Sequence, residues 1–185
     1  MRLFVGLAIS EAVEESLERL TLRLRVKDDG LRWSTPDQWH VTLVFLGEVE
    51  DAARAKLVQA LSTLRQPPLK LRMERLGVFE RSGILYAEVE VSEELLHLYE
   101  AVAAVVRRCG LEVEERPYRA HITLARARNR EGRKAVERLR TVASREQQRL
   151  RASWGAEEFL LYESQLSPGG SKYVVRERFA LGSLS

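Results

Sequence analysis

Two stretches, His40-Val41-Thr42-Leu43 and His121-Ile122-Thr123-Leu124, repeat the pattern His-x-Thr-aliphatic 81 positions apart in a chain with only three histidines and six threonines. In an extended strand, residues i and i+2 project from the same face. Each stretch therefore presents an imidazole beside a hydroxyl and turns Val41, Leu43, Ile122 and Leu124 to the opposite side. A neutral imidazole takes a proton from water or a hydroxyl, and an imidazolium gives one to a leaving alkoxide. Both work near neutrality because the ordinary pKa is about 6.5. A threonine hydroxyl donates to a non-bridging phosphate oxygen and steadies developing charge there. These parts suit in-line phosphodiester cleavage with no nucleophilic side chain and no metal.

Working outward, helix and strand patterns alternate without a linker. Residues 2–9 read as a buried strand. Ser10 opens a helix with Val13, Leu17, Leu20 and Leu24 on one stripe, ended by Asp28-Asp29-Gly30. Leu31 to Ser34 and Trp39 to Leu46 read as strands around the turn Thr35-Pro36-Asp37. Asp51 caps a helix through about Leu64, and Pro67-Pro68 stops it. Residues 69–79 and 84–91 form strands around Arg81-Ser82-Gly83. Ser92 opens a third helix, striped by Leu95, Leu98, Tyr99, Val102 and Val106, that closes at Gly110. A short strand follows Gly110, and the second motif strand covers about 119–126. A charged helix runs from Glu131 to about Arg145, and residues 150–163 and 172–181 form a closing hairpin around Ser167-Pro168-Gly169-Gly170. Each motif strand precedes a helix and a strand pair, which is a degenerate internal repeat. The expected fold is α+β: one domain over 1–185 with two pseudo-symmetric lobes of antiparallel sheet, helices outside, and a groove between the motif strands.

Composition is ordinary for a globular chain, with 45% hydrophobic and 31% charged residues. No run approaches the ~20 apolar residues of a membrane span. The start, Met1 to Ile9, lacks a cleavage site and runs into a charged helix, so a cytoplasmic location is expected. A single cysteine, Cys109, excludes an internal disulfide and reads as a packing residue at a helix end. Of the 30 basic residues, 25 are arginine. Guanidinium grips phosphate through two parallel N–H bonds and stacks on bases, so the bias accords with an RNA ligand. Charge alone does not establish one.

The extended motifs resemble the two-histidine phosphoesterases, specifically the LigT-like RNA 2′,3′-cyclic phosphodiesterases, also called 2′-5′ RNA ligases. The likeness is carried by Arg2-Leu3-Phe4-Val5 and by Trp33-x-x-Pro36-x-x-Trp39-His40-Val41-Thr42-Leu43-x-Phe45-Leu46-Gly47-Glu48. It continues in Arg116-Pro117-Tyr118-Arg119-Ala120-His121-Ile122-Thr123-Leu124-Ala125-Arg126, and in Leu161-Tyr162-Glu163-Ser164 followed by Gly170 and Tyr173. Ala120 stands where the family often has proline. The resemblance implies that His40 is the proton donor to the leaving 3′ oxygen and His121 the proton acceptor that activates water. It further implies that Thr42 and Thr123 bind phosphate and that Arg126 contacts it. The substrate would be RNA with a 2′,3′-cyclic phosphate end or a cyclic nucleotide, the product a 2′-phosphate, with no cofactor, no metal and a monomeric protein. An RNA 5′-hydroxyl in place of water would give a 2′-5′ bond, without ATP.

On strand alternation Arg126, five residues after His121, faces away from it unless the strand bends, whereas Arg119 shares the face of His121. A catalytic zinc wants about three protein ligands, and neither H-E-x-x-H nor C-x-x-C occurs. His97 falls on the polar side of its helix. Trp33, Trp39, Tyr118 and Phe45 are candidates for base stacking or for core. Two rival functions stand beside the hydrolase: a catalytically silent RNA- or nucleotide-binding module, and a related phosphodiesterase acting on 2′-5′ oligonucleotides.

Overall fold

Arg2–Leu7 (β1) is five buried residues after one exposed arginine, the pattern of a strand covered on both faces and flanked on both edges. In the computed structural model, which describes residues 1–146, 150–167 and 170–182, β1 is central. Antiparallel partners lie on each side, Val41–Glu48 (β3) and Glu158–Ser167 (β8), and Gly170–Ala180 (β9) completes a sheet of order β3-β1-β8-β9. A second antiparallel sheet joins Leu31–Trp33 (β2), His121–Ala127 (β6), Ile84–Val89 (β5), Leu69–Phe79 (β4) and Ala152–Ala156 (β7), in the order β2-β6-β5-β4-β7.

The helices are those the apolar spacing predicts. Glu11–Leu24 (α1) starts where the Ser10 hydroxyl accepts from the Val13 N–H, and it buries Val13, Leu17, Leu20 and Leu24. Glu93–Arg108 (α3) starts the same way at Ser92. It carries acidic residues in its first turn and Arg107 and Arg108 in its last, which suits the helix dipole. Asp51–Ser62 (α2) has Glu50, not Asp51, at its N-cap position, with no side-chain capping bond; Asp51 is its first helical residue, where its charge still meets the N-terminal dipole. Arg130–Glu146 (α4) lies against the second sheet. Cys109 is buried at the end of α3, and His97 is exposed.

Three expectations change. No strand forms between Gly110 and His121; that segment crosses as irregular backbone. Residues 150–163 are not one strand but two, broken at Glu157: β7 pairs with β4, and β8 pairs with β1 and β9. The lobes are also not successive halves of the chain. The first sheet takes β1 and β3 from the front and β8 and β9 from the end, and the second sheet takes β2, which lies between β1 and β3, together with β4 to β7. Pairing to distant partners overrides the sequential order. The hairpin turn before β9 closes with Ser167 Oγ donating to the Gly170 carbonyl at 2.6 Å; Pro168 and Gly169 lie outside the described residues.

One continuous apolar core joins Leu3, Val5, Val41 and Leu43 of the first sheet to Leu71, Met73, Ile122 and Leu124 of the second. The opposite faces of the motif strands are left to line a groove.

Candidate active site

Both histidines reach the groove from the start of their strands, His40 immediately before β3 and His121 as the first residue of β6. The loop before His40 is fixed by its sequence. Thr35 and Gln38 form a capping box around a single 3₁₀ turn, Pro36–Gln38, with proline at its first position. Gln38 Nε2 also donates to the Ser171 carbonyl at 2.5 Å, tying the turn to β9. The turn leaves the Gln38 carbonyl to accept from His40 Nδ1 at 2.8 Å. His121 repeats the bond: its Nδ1 donates to the Arg119 carbonyl at 2.7 Å. A carbonyl only accepts, so Nδ1 carries the hydrogen in both rings, and Nε2 is the nitrogen left to exchange protons. His40 Nε2 lies 3.0 Å from Thr42 Oγ1. The Tyr118 hydroxyl, stacked at 4.2 Å on Tyr99, donates at 3.1 Å to the Thr42 carbonyl and so ties the approach to the second motif to the backbone of the first.

The two rings sit in different surroundings. His40 packs at 4.6 Å on Phe4 and edge-on at 4.9 Å to Tyr173, with Tyr162 at 5.8 Å. Burial, reinforced by the charges of His121 and Arg126, pulls its pKa from 6.5 down to about 4, against the opposing effect of the Gln38 carbonyl. His121 meets Phe79 and Tyr86 edge-on at 5.1 and 5.4 Å. Its pKa is also lowered, first by burial and then by Arg126 and Arg119.

The cavity they share, about 360 Å³, is lined by His40, Thr42, His121 and Thr123 together with Arg2, Arg32, Arg126, Gln38, Trp33, Phe45 and Tyr173. No carboxylate lines it among the described residues. Arg126 reaches it because β6 does bend. Tyr86 of β5 pairs with Thr123 and the next residue back, Leu85, pairs with Ala125, so Leu124 is an extra residue on β6. Leu124 and Ala125 are consequently both buried, and the alternation resumes with Arg126 on the side of His121. Arg119, the better placed on plain alternation, does not line the groove. It lies over the Phe79 ring at 5.0 Å and donates to the Tyr86 hydroxyl at 3.1 Å, in an adjoining hollow.

Arg32 and Arg2 are groove residues that the sequence reading did not select. Arg32 pairs directly across the ladder with Arg126. Two like charges opposite one another destabilise a sheet, and burial together with Arg32 lowers the Arg126 pKa. An anion between them relieves both effects. Only the β2–β6 register brings them together, so nothing local in the sequence could have marked Arg32. Trp33 lines the groove and Phe45 is 46% exposed there, whereas Trp39 is core at 5%. Among the described residues no three His, Cys, Asp or Glu side chains cluster as metal ligands would. No described helix is long and apolar enough to cross a membrane.

The 2′-5′ RNA ligase superfamily matches residues 9–166. A Thermus thermophilus protein named RNA 2′,3′-cyclic phosphodiesterase is 31% identical over 98% of this chain and 90% of its own length. An Archaeoglobus fulgidus protein of the same name is 27% identical, covering 94% and 96%. Among solved structures, a Thermus thermophilus protein superposes with a TM-score of 0.76 at 27% identity over both whole chains. Escherichia coli LigT complexed with 3′-AMP superposes with 0.78 at 24% identity over 98% of each chain, a likeness of fold.

Proposed function

The chain belongs to the 2′-5′ RNA ligase superfamily, and from that premise we propose that it hydrolyses 2′,3′-cyclic phosphate ends of RNA to 2′-phosphates, with His40 as acid and His121 as base. The observation that carries the reading is one groove holding both His–Thr pairs and three guanidinium groups, with no carboxylate lining it among the described residues. Such a wall selects an anion. The two imidazoles with free Nε2 positions then supply what a strained phosphodiester needs. The curated relatives named RNA 2′,3′-cyclic phosphodiesterase support the choice of substrate.

In the proposed step His121 Nε2 takes a proton from water as the water oxygen bonds to phosphorus. The bond from phosphorus to the 3′ oxygen breaks, and His40 Nε2 gives that oxygen its proton. Thr42, Thr123 and Arg126 hold the non-bridging oxygens, with Arg32 beside Arg126. Both rings are neutral in the free protein near pH 7, since burial and the arginines disfavour their cations. The negative charge of the entering phosphodiester offsets that penalty, and so recruits the proton His40 must donate. With an RNA 5′-hydroxyl as nucleophile, the same two transfers form a 2′-5′ bond.

The test is incubation with 2′,3′-cyclic AMP in EDTA without any nucleoside triphosphate. The expected product is 2′-AMP. Formation of 3′-AMP would reverse the assigned leaving group, and binding without turnover would leave a nucleotide-binding module. Activity lost on chelation and restored by a divalent ion would overturn the metal-free scheme.

A further inference from the structure

Resting on that reading of the groove, we propose that the hollow beyond His121 is the subsite for the nucleoside whose 5′-hydroxyl attacks the cyclic phosphate. In-line displacement puts nucleophile and leaving group on opposite sides of phosphorus. His40, the donor to the leaving oxygen, lines the catalytic groove and not the hollow beside it, whereas His121 lines both the groove and this second hollow of about 1020 Å³. The two cavities share Thr42, Phe45 and His121, so an acceptor seated in the second would present its hydroxyl at the base. Water as nucleophile needs no such room.

The lining suits a nucleoside. Phe45, 46% exposed, offers a ring for a base to stack on, while Phe79, stacked on Tyr86 at 4.1 Å and covered by Arg119, forms the apolar wall. Arg81 and Arg119 line the hollow for the following phosphate, with the Arg116–Glu114 ion pair at its rim. Its two carboxylates are already engaged, Glu80 with Arg140 at 2.5 Å and Glu114 with Arg116. In the proposed transfer the 5′-hydroxyl proton goes to His121 and O5′ bonds to phosphorus. The bond to the 3′ oxygen breaks and that oxygen takes the His40 proton; ring strain supplies the drive and nothing is oxidised or reduced.

The test uses the 5′-hydroxyl dinucleotide ApA as probe. Equilibrium dialysis with the groove saturated by 2′-AMP should show ApA binding to the wild-type protein. Binding should weaken about tenfold or more in Arg81→Glu/Arg116→Glu and in Ser82→Trp, all at the exposed rim of the hollow. Hydrolysis of 2′,3′-cyclic AMP should stay within about twofold in these variants. With both nucleotides present, the wild-type protein should form the 2′-5′-joined trinucleotide, and the variants should shift the partition toward hydrolysis by the same factor. A wild-type protein that does not bind ApA, or variants that bind and join it as the wild type does, overturns the subsite. ApA binding without hydrolysis of cyclic AMP supports the subsite while removing the assigned reaction, so the two failures are distinguishable.

Discussion

The two motif strands use the same backbone device and finish with different side chains. In β3, Val5 of β1 pairs with Val44 and the next residue, Gly6, pairs with Thr42, so Leu43 is the extra residue, as Leu124 is in β6. After each bulge the position five residues beyond the histidine turns to the groove. That position is Phe45 in one strand and Arg126 in the other, again 81 apart. Cation and aromatic thus occupy equivalent places, and Arg2 rests over the Phe45 ring at 5.1 Å. The partner strands deepen the difference. Phe4, Tyr162 and Tyr173 enclose His40, while His121 lies edge-on beside the stacked pair Phe79 and Tyr86, close to Arg119. A repeated motif supplies two identical reactive groups; their separate roles have to come from what packs on them.

The strongest way to break this comparison is to remove each imidazole. His40→Ala and His121→Ala should each lower kcat by about 10²–10⁴-fold, the usual range of general acid–base assistance. The double variant should lose less than the product, because groups acting together are non-additive. A substrate with a better 3′ leaving group should rescue His40→Ala alone. Rescue of His121→Ala instead would exchange the two roles, and losses under about tenfold would put catalysis elsewhere.

Arg126→Gln sharpens the contrast between the position of the arginine and that of Phe45. A charge-assisted bond to phosphate is worth about 1.5–3 kcal/mol, so kcat/KM should fall roughly 10- to 100-fold, mostly through KM. The variant should also shift the pH profile. Arg126 lowers both imidazole pKa values, so its loss raises them and moves the kcat/KM optimum to higher pH. In the wild-type protein that bell should peak on the acid side of 6.5, because kcat/KM reports the free protein. A profile unchanged by Arg126→Gln would detach the arginine from both rings.

Stability should carry the mark of His40 as well. Its folded pKa of about 4 lies below the ordinary 6.5, so the unfolded chain binds the proton more readily. The contribution is complete above pH 6.5 and is lost as pH falls from 6.5 toward 4, on the order of 3 kcal/mol in all. Urea unfolding across that window should show the slope, and His40→Gln should flatten it. An unchanged slope would mean that the aromatic enclosure does not govern the ring.

The smallest effect concerns glycine on the His121 side. A Cβ at Gly77 would lie 2.4 Å from the Tyr86 ring that faces His121. Gly77→Ala should therefore destabilise by about 1–3 kcal/mol through overpacking and lower kcat by tilting Tyr86. Gly6→Ala, whose Cβ would meet the Val41 carbonyl at 2.8 Å, should disturb the His40 side in parallel, with backbone as the unyielding neighbour. Melting temperatures and kcat of the two variants would compare the halves directly.

What the sequence determined by itself is whatever depends on neighbours along the chain. The helical stripes and their serine caps, the β4–β5 hairpin, the capping box before His40 and the His-x-Thr pairs all follow from residues within a few positions of one another. The extended motifs also carried the family resemblance. Tertiary pairing decided the remainder. The Leu43 and Leu124 bulges depend on β1 and β5, and without them Phe45 and Arg126 would face the core. Arg32 acquires its place only by lying opposite Arg126, and Arg119 loses the groove to the pull of Phe79 and Tyr86. Residues 150–163 divide between two sheets because β4 and β1 each offered an open edge. The different enclosures of two histidines in near-identical sequence, both of which lower the imidazole pKa, come from rings drawn from β1, β4, β5, β8 and β9. Burial and charge are sums over everything nearby in space, so two identical motifs could be read from the chain while the difference between them required the fold.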